Sequence, residues 1–350
     1  MSPKMDPGYD YLIFLRKGIM VLSCNKRTEL SADTKQRSHA MKAIRMHSYG
    51  GPEVLVYEDI PRPKPGSGEV LIEVHAAGVN PIDWKVREGY TKDWLNHKLP
   101  LIPGWDVSGI VADLGEGVKN FAIGDQVYGK LDTSLDGAYA EYAVTNTENI
   151  ALKPRTADHV HAAAVPIAAL TAWQSLFDLA GLSAGQTVLI HAAAGGVGHF
   201  AVQFAKWKGS RVLGTASARN VEFVKKIGAD MVIDYTIKKF EEEASSVDCV
   251  LDTQGGNVLR RSLPVLKKGG IVVSTLEELS AEDLKKYGIR AAHVVARADP
   301  SQLKDIAGLI DAGHVKTMVE TVFPLEEARK AHELSQSGHA RGKIVLMVKE

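Results

Sequence analysis

Residues 187–208 restrict this chain more tightly than any other stretch. An apolar run, Thr187-Val188-Leu189-Ile190-His191, leads into Ala192-Ala193-Ala194-Gly195-Gly196-Val197-Gly198, and a helical pattern with Ala201, Gln203, Ala205 and Lys206 follows. Residues without bulk let a strand turn sharply into a helix and let the two pack closely. They also let a pyrophosphate approach the N–H groups and positive end of that helix. A glycine triplet alone is equally a plain strand–helix turn, so its surroundings decide. Apolar runs recur at 211–215, 231–233, 247–251 and, after Gly269-Gly270, at 271–273; residues 220–227 read as a helix ended by Gly228. Short β runs alternating with helices of about ten residues predict a parallel, doubly wound sheet. In that setting the turn is a dinucleotide site.

The end of the second strand selects the dinucleotide. A site for NAD places Asp or Glu there to bind the ribose 2′-hydroxyl. Here the segment reads Gly214-Thr215-Ala216-Ser217-Ala218-Arg219-Asn220, with no acid. Ser217 offers a hydroxyl and Arg219 a planar fork suited to a 2′-phosphate. The expected cofactor is NADP(H).

From Met41 to about residue 160 the pattern is all-β, with runs at 70–75, 107–114, 126–128 and 139–144 separated by Gly, Asp and Pro turns. Many short strands without intervening helices suggest a compact, barrel-like domain. An Ala-rich helix is expected from about Thr156 to Leu179, and two amphipathic helices at 303–310 and 325–334 precede a last strand at 344–348. Residues 1–40 carry no unbroken apolar region or cleavage site of the signal-peptide kind, and read as a disordered or non-native extension with Met41 as the start.

Composition closes off several classes. Forty-two Lys+Arg balance 42 Asp+Glu, so no nucleic-acid partner is expected, and no apolar run approaches the length of a membrane span. Cys24 and Cys249 are the two cysteines, too few for a disulfide framework or a four-thiolate zinc site, which points to a cytoplasmic setting. A catalytic zinc would need three Cys, His or acidic ligands at workable spacing. Of 12 histidines only His159 and His161 are close, and two residues apart they face different sides of a helix. No Gly-x-Ser-x-Gly elbow is present.

The order of β domain, dinucleotide fold and short return resembles the medium-chain dehydrogenase/reductase superfamily over residues 41–350. The resemblance rests on Gly78-Val79-Asn80-Pro81-Ile82-Asp83-Trp84-Lys85, Pro103-Gly104-Trp105-Asp106-Val107-Ser108-Gly109, Gly124-Asp125-Gln126-Val127-Tyr128, Gly137-Ala138-Tyr139-Ala140-Glu141-Tyr142 and the glycine turn. Zinc-dependent members carry Cys in place of Asn80, His–Glu in place of Trp105-Asp106, and a four-Cys lobe that is absent here. The chain therefore resembles the zinc-independent quinone oxidoreductase branch, which is zeta-crystallin-like.

That resemblance implies an α/β architecture: a GroES-like β-barrel catalytic domain (41–163 and 297–350) and a Rossmann NADP-binding domain (164–296). It implies cofactor contacts from Ala194, Gly195, Gly196 and Val197, with Ser217 and Arg219 near the 2′-phosphate and Tyr235 by the adenosine. Asp252, Ser274, Thr275 and Leu276 would line the nicotinamide side, Thr171 would approach the ring, and His339, Ala340 and Arg341 would reach back to the cofactor. Asn80, Asp83 and Lys85 would serve catalysis, Asn80 by donating its amide hydrogen to a substrate oxygen and Lys85 by its charge or a proton. The expected activity is NADPH-dependent reduction of a quinone or an α,β-unsaturated carbonyl, whose conjugation spreads negative charge without a metal. A non-catalytic NADPH-binding protein and an enoyl-thioester reductase are the alternatives. Trp84, Tyr90, Trp94 and Trp105 are candidates to stack on a flat substrate, or simply core residues. The apolar run Ala291-Ala292-His293-Val294-Val295 reads as a sheet-edge strand, so a homodimer is expected.

Overall fold

The structure is a computed structural model and describes residues 40–349. The expected extension and Cys24 lie outside the described residues, except Ala40, which opens the first strand.

Seven strands come first: β1 (Ala40–Met46), β2 (Leu55–Pro61), β3 (Glu69–Val79), β4 (Asp106–Leu114), β5 (Gln126–Lys130), β6 (Tyr142–Asn146) and β7 (Ile150–Leu152), with α1 (Pro81–Arg87) between β3 and β4. The strands β1 and β2 pair with each other, and β3 is the spine of the rest, antiparallel to β4 on one edge and to β6 on the other. Val70, Leu71, Ile72, Val74, Ala76 and Ala77 are all buried, so β3 has apolar cover on both faces. The run expected at 139–144 pairs with β3 only from Tyr142 onward. The residues before it are taken by other partners: Tyr139 N–H donates to Pro103, its carbonyl accepts from Ile44, and Ala140 bridges Ala43.

The long helix expected at 156–179 is three pieces: α2 (His159–Ala163), α3 (Pro166–Trp173) and a π-turn over Gln174–Leu179. Pro166 explains the first break. It has no N–H for the helix before it but is well placed in the first turn of a new one.

Then the alternating half begins: β8 (Thr187–Ile190), α4 (Gly196–Trp207), β9 (Arg211–Ala216), α5 (Val221–Lys226), β10 (Met231–Asp234), α6 (Phe240–Glu243), β11 (Val247–Asp252), α7 (Gly256–Ser262), β12 (Leu266–Ser274), α8 (Ala281–Tyr287) and β13 (Arg290–His293). All six strands are parallel, in the order β10-β9-β8-β11-β12-β13. That is the doubly wound order with its reversal between β8 and β11, where the crevice of such a sheet lies. Val188 and Ile190 of β8 pack into one core cluster and Leu189 into another, so the sheet is covered on both faces.

The chain then runs through α9 (Pro300–Asp311), β14 (Val319–Pro324), α10 (Ala328–Gln336) and β15 (Lys343–Met347). The last strand returns to the first sheet, antiparallel to β3 and parallel to β14. Among the described residues no helix is long and apolar enough to cross a membrane.

Candidate active site

The glycine turn leaves the end of β8 held from both sides. His191 N–H donates to Leu251 O at 3.0 Å, and Ala193 N–H to Thr215 O at 2.9 Å. Gly195 N–H closes on Ala192 O at 2.8 Å, and α4 begins at the next residue. A Cβ on Gly198 would stand 2.2 Å from Ala192 O, so only glycine lets α4 sit this close to the turn. The N–H groups of a first helical turn have no intrahelical acceptor and favour an anion.

Two buried histidines brace the turn. His191 Nε2 lies 2.8 Å from Ser262 Oγ and Nδ1 3.2 Å from Thr215 Oγ1. His199 Nδ1 lies 3.0 Å from Gly195 O, which can only accept, so Nδ1 carries the proton and Nε2 accepts from Met318 N–H at 3.4 Å. Burial pushes both imidazoles down to about 4, so they are neutral struts.

Beside the turn opens a cleft of about 310 Å³. Ala194, Gly195, Ser217, Arg219, Tyr235, Gln254, His339 and Ala340 line it, as do Lys238 and Arg261, which the sequence reading missed. Lys238 is paired with Glu243 at 2.7 Å, and Arg261 bidentately with Glu241 at 2.8 and 2.6 Å. Arg219 donates to the His339 carbonyl and is in none of the arginine–carboxylate pairs among the described residues. A small-residue turn, a helix start and an unneutralised guanidinium on one cleft fit the phosphates of a nicotinamide dinucleotide.

Other expected cofactor residues stand elsewhere. Gly196 and Val197 form the start of α4 beside the cleft. Asp252 is fully buried and organises its loop, accepting from Gln254 N–H, Gly255 N–H and Ser274 Oγ at 3.0, 3.1 and 2.8 Å. Ser274 in turn accepts from Leu276 and Glu277 N–H, and Thr275 N–H donates to Asp252 O. Thr171 is buried in α3, its hydroxyl donating to Ile167 O at 2.6 Å. The Arg341 guanidinium lies over the Phe223 ring, 5.5 Å from its centroid.

Of the three residues expected to serve catalysis, Asn80 and Asp83 are brought together and Lys85 is not. Asn80 N–H and Tyr139 Oη both donate to Asp83 Oδ2 at 2.8 Å, while Oδ1 is buried without a partner. Burial pushes the Asp83 carboxyl up to about 7. Asp83 thus braces the start of α1 inside the core and faces no open surface. The ammonium of Lys85 lies 5.8 Å from the Trp84 ring centroid, its pKa lowered by burial. The Asn80 side chain instead meets two groups not expected beside it, Asp106 and Lys343. Its Nδ2 donates to Asp106 Oδ2 at 2.8 Å, and Lys343 Nζ donates to its Oδ1. A lysine heading the apolar strand Lys343-Ile344-Val345-Leu346-Met347 was the available signal.

Trp105 is fully buried in the first-sheet core, donating from Nε1 to Leu135 O at 3.0 Å, so it is not a stacking surface. Tyr90 and Trp94 are exposed. His159 bonds Ser108 and stacks on His75, and among the described residues no three His, Cys, Asp or Glu side chains gather to share a metal ion.

Two family models match: the alcohol dehydrogenase GroES-like domain over residues 66–155 and the zinc-binding dehydrogenase model over 227–346. The chain is 35% identical to a chloroplast envelope quinone oxidoreductase homolog of Arabidopsis thaliana, over 87% of this chain and 98% of that one. It is 33% identical to an NADPH-dependent alkenal/one oxidoreductase of the same plant, chloroplastic, over 95% and 86%. In three dimensions it matches the quinone oxidoreductase from Coxiella burnetii with a TM-score of 0.84 and 38% identity, over 89% of this chain and all of that one.

Proposed function

This chain belongs to the quinone oxidoreductase-like branch of the medium-chain dehydrogenase/reductase superfamily, with its GroES-like and Rossmann-type halves, and we propose that it is a zinc-independent, NADPH-dependent reductase of quinones or α,β-unsaturated carbonyls. A nicotinamide cofactor and an oxidoreductase activity are common to the branch. The choice of NADPH and of acceptor is our reading.

One observation carries the choice of NADPH. The end of β9 offers no carboxylate to a ribose, while Arg219 reaches the same cleft without an acidic partner. The α4 start and Gly195 would hold the pyrophosphate, and Ser217, Arg219 and Tyr235 the adenosine end. Bound and reduced, the nicotinamide supplies a hydride. Asn80 would give an amide hydrogen to the acceptor oxygen, and Lys85 or water would supply the proton. A conjugated acceptor delocalises the charge it receives, so a neutral hydrogen-bond donor suffices. Where zinc-dependent relatives carry Cys and Glu, Asn80 and Asp106 are bonded to the ammonium of Lys343. The same reading takes the chain as a homodimer paired along β13, and as cytoplasmic on its two-cysteine composition; Cys249 is buried, its thiol pushed up to about 12.

The test is coenzyme oxidation with 9,10-phenanthrenequinone and with a short enone, NADPH beside NADH. The wild type should prefer NADPH with both acceptors. Removing one charge-assisted contact in Arg219→Ala should raise the KM for NADPH by about 10–100-fold and leave that for NADH within about twofold. Equal losses with both coenzymes would refute the 2′-phosphate assignment. Tight NADPH binding without turnover would identify a binding protein instead.

A further inference from the structure

Lysine is almost never fully buried without a partner. Lys343 is 3% exposed, at the first position of β15. Its ammonium donates to Val79 O at 3.0 Å and to Asn80 Oδ1, and lies 3.4 Å from Asp106 Oδ2. The carboxylate of Asp106 is shared in turn. Oδ2 accepts from Asn80 Nδ2, and Oδ1 accepts from Ile167 N–H at 2.7 Å, at the start of the helix that carries Thr171.

These partners determine which way the Asn80 amide points. An ammonium can only donate and an ionised carboxylate can only accept. Asn80 therefore turns its oxygen to Lys343 and its nitrogen to Asp106; the reversed amide would set N–H against N–H and oxygen against oxygen. An amide nitrogen carries two hydrogens, and Asp106 takes one. The backbone beside Lys343 is fastened to the glycine turn, Gly342 N–H donating to Ala194 O at 2.8 Å. The Lys343 Cδ sits 3.2 Å from where a Cβ on Gly196 would be. One residue thus touches both the nucleotide turn and the amide across from it.

We propose that Lys343 is a positioning residue for the reduction: it holds the Asn80 carboxamide in the orientation that offers its remaining hydrogen to the acceptor oxygen, and it ties that orientation to the glycine turn. The proposal rests on the reductase reading above. It goes beyond it by assigning the buried cation a task, which is to orient a donor rather than to touch the substrate.

Lys343→Met alone leaves Asp106 buried without its counter-charge and is expected to fold poorly. Lys343→Met combined with Asp106→Asn removes both charges and lets the Asn80 amide take either orientation. In this double variant kcat/KM for the acceptor should fall by about 10–100-fold, the range for loss or misplacement of one donor, while coenzyme affinity stays within about twofold. On an Asn80→Ala background the same pair should cost nothing further, because the donor it orients is gone. A multiplicative loss there would overturn the proposal.

A second readout needs no turnover. With 15N-labelled asparagine, the Asn80 side-chain amide pair, identified by its loss in Asn80→Ala, should be resolved and slow to exchange in the wild type. It should shift and exchange faster in the double variant. Unmoved signals would overturn the proposal. A wild type that reduces neither acceptor would instead overturn the reductase reading, leaving the amide signals to decide the role of Lys343.

Discussion

Asp83 is fully enclosed, and burial holds its carboxyl up to about 7 against two hydrogen bonds that favour the charged form. An acid whose pKa is raised by folding binds more protons in the native state than in the unfolded chain. Its contribution to stability is complete below the unfolded value of 3.8 and is lost as pH rises through about 7. The slope approaches about 1.4 kcal/mol per pH unit inside that window. Asp83→Asn has no charge to bury and should flatten this component. Chemical denaturation at pH 5 and pH 8 should show the variant gaining on the wild type at the higher pH, and a constant difference would contradict the assignment. At this scale the sequence was half legible. Asn80-Pro81-Ile82-Asp83 marks its two polar residues, but not that Asp83 points inward while Asn80 is gripped by residues far along the chain. The sequence places Lys343 in the return that reaches back to the cofactor, but not its ammonium against Asn80 and Asp106. Only the fold shows that β15 begins inside the protein.

Among the elements, the strand–turn–helix unit was the most legible because its chemistry is local. Small residues are needed where backbones touch, and the touch is between neighbours in sequence. Gly198 puts this to a test. In Gly198→Ala the new methyl would press on Ala192 O and push α4 outward, a misfit of about 1–3 kcal/mol. The thermal midpoint should fall, and affinity for the nicotinamide coenzyme should fall by about tenfold. Calorimetry of folding and binding would check both, and an unchanged affinity would mean that the α4 start does not hold the phosphates. The strand β14 went unseen for a different reason. Its half-buried residues Val319, Thr321 and Phe323 alternate with an exposed side that includes Val322, so the polar half of the pattern is broken. The helix at 156–179 was drawn too long because alanine content masked the break at Pro166.

For the molecule as a whole, the six-stranded sheet ends at β13, whose outer edge carries backbone groups with no strand beside them among the described residues. Ala291 and Ala292 put little bulk in its middle, between Arg290 and His293, and a partner strand can pair at such small residues. Light scattering should give twice the mass of one chain for the wild type and a single-chain mass for Ala292→Lys. A wild type at single-chain mass would dispose of the dimer. The two halves could be told apart in sequence by rhythm, mostly β before residue 156 and alternating after 187, although the helix α1 went unread between β3 and β4. The closure of the chain could not, because pairing of β15 with β3 is a relation between its two far ends. That closure also orders events in time. Lys343 follows Asn80 by 263 residues, so during synthesis on a ribosome the nucleotide turn is complete long before the counter-charge of Asp106 exists. A chain stopped short of β15 lacks the ammonium that meets Asn80 and Asp106, so the site opposite the turn is completed only by the last strand to emerge.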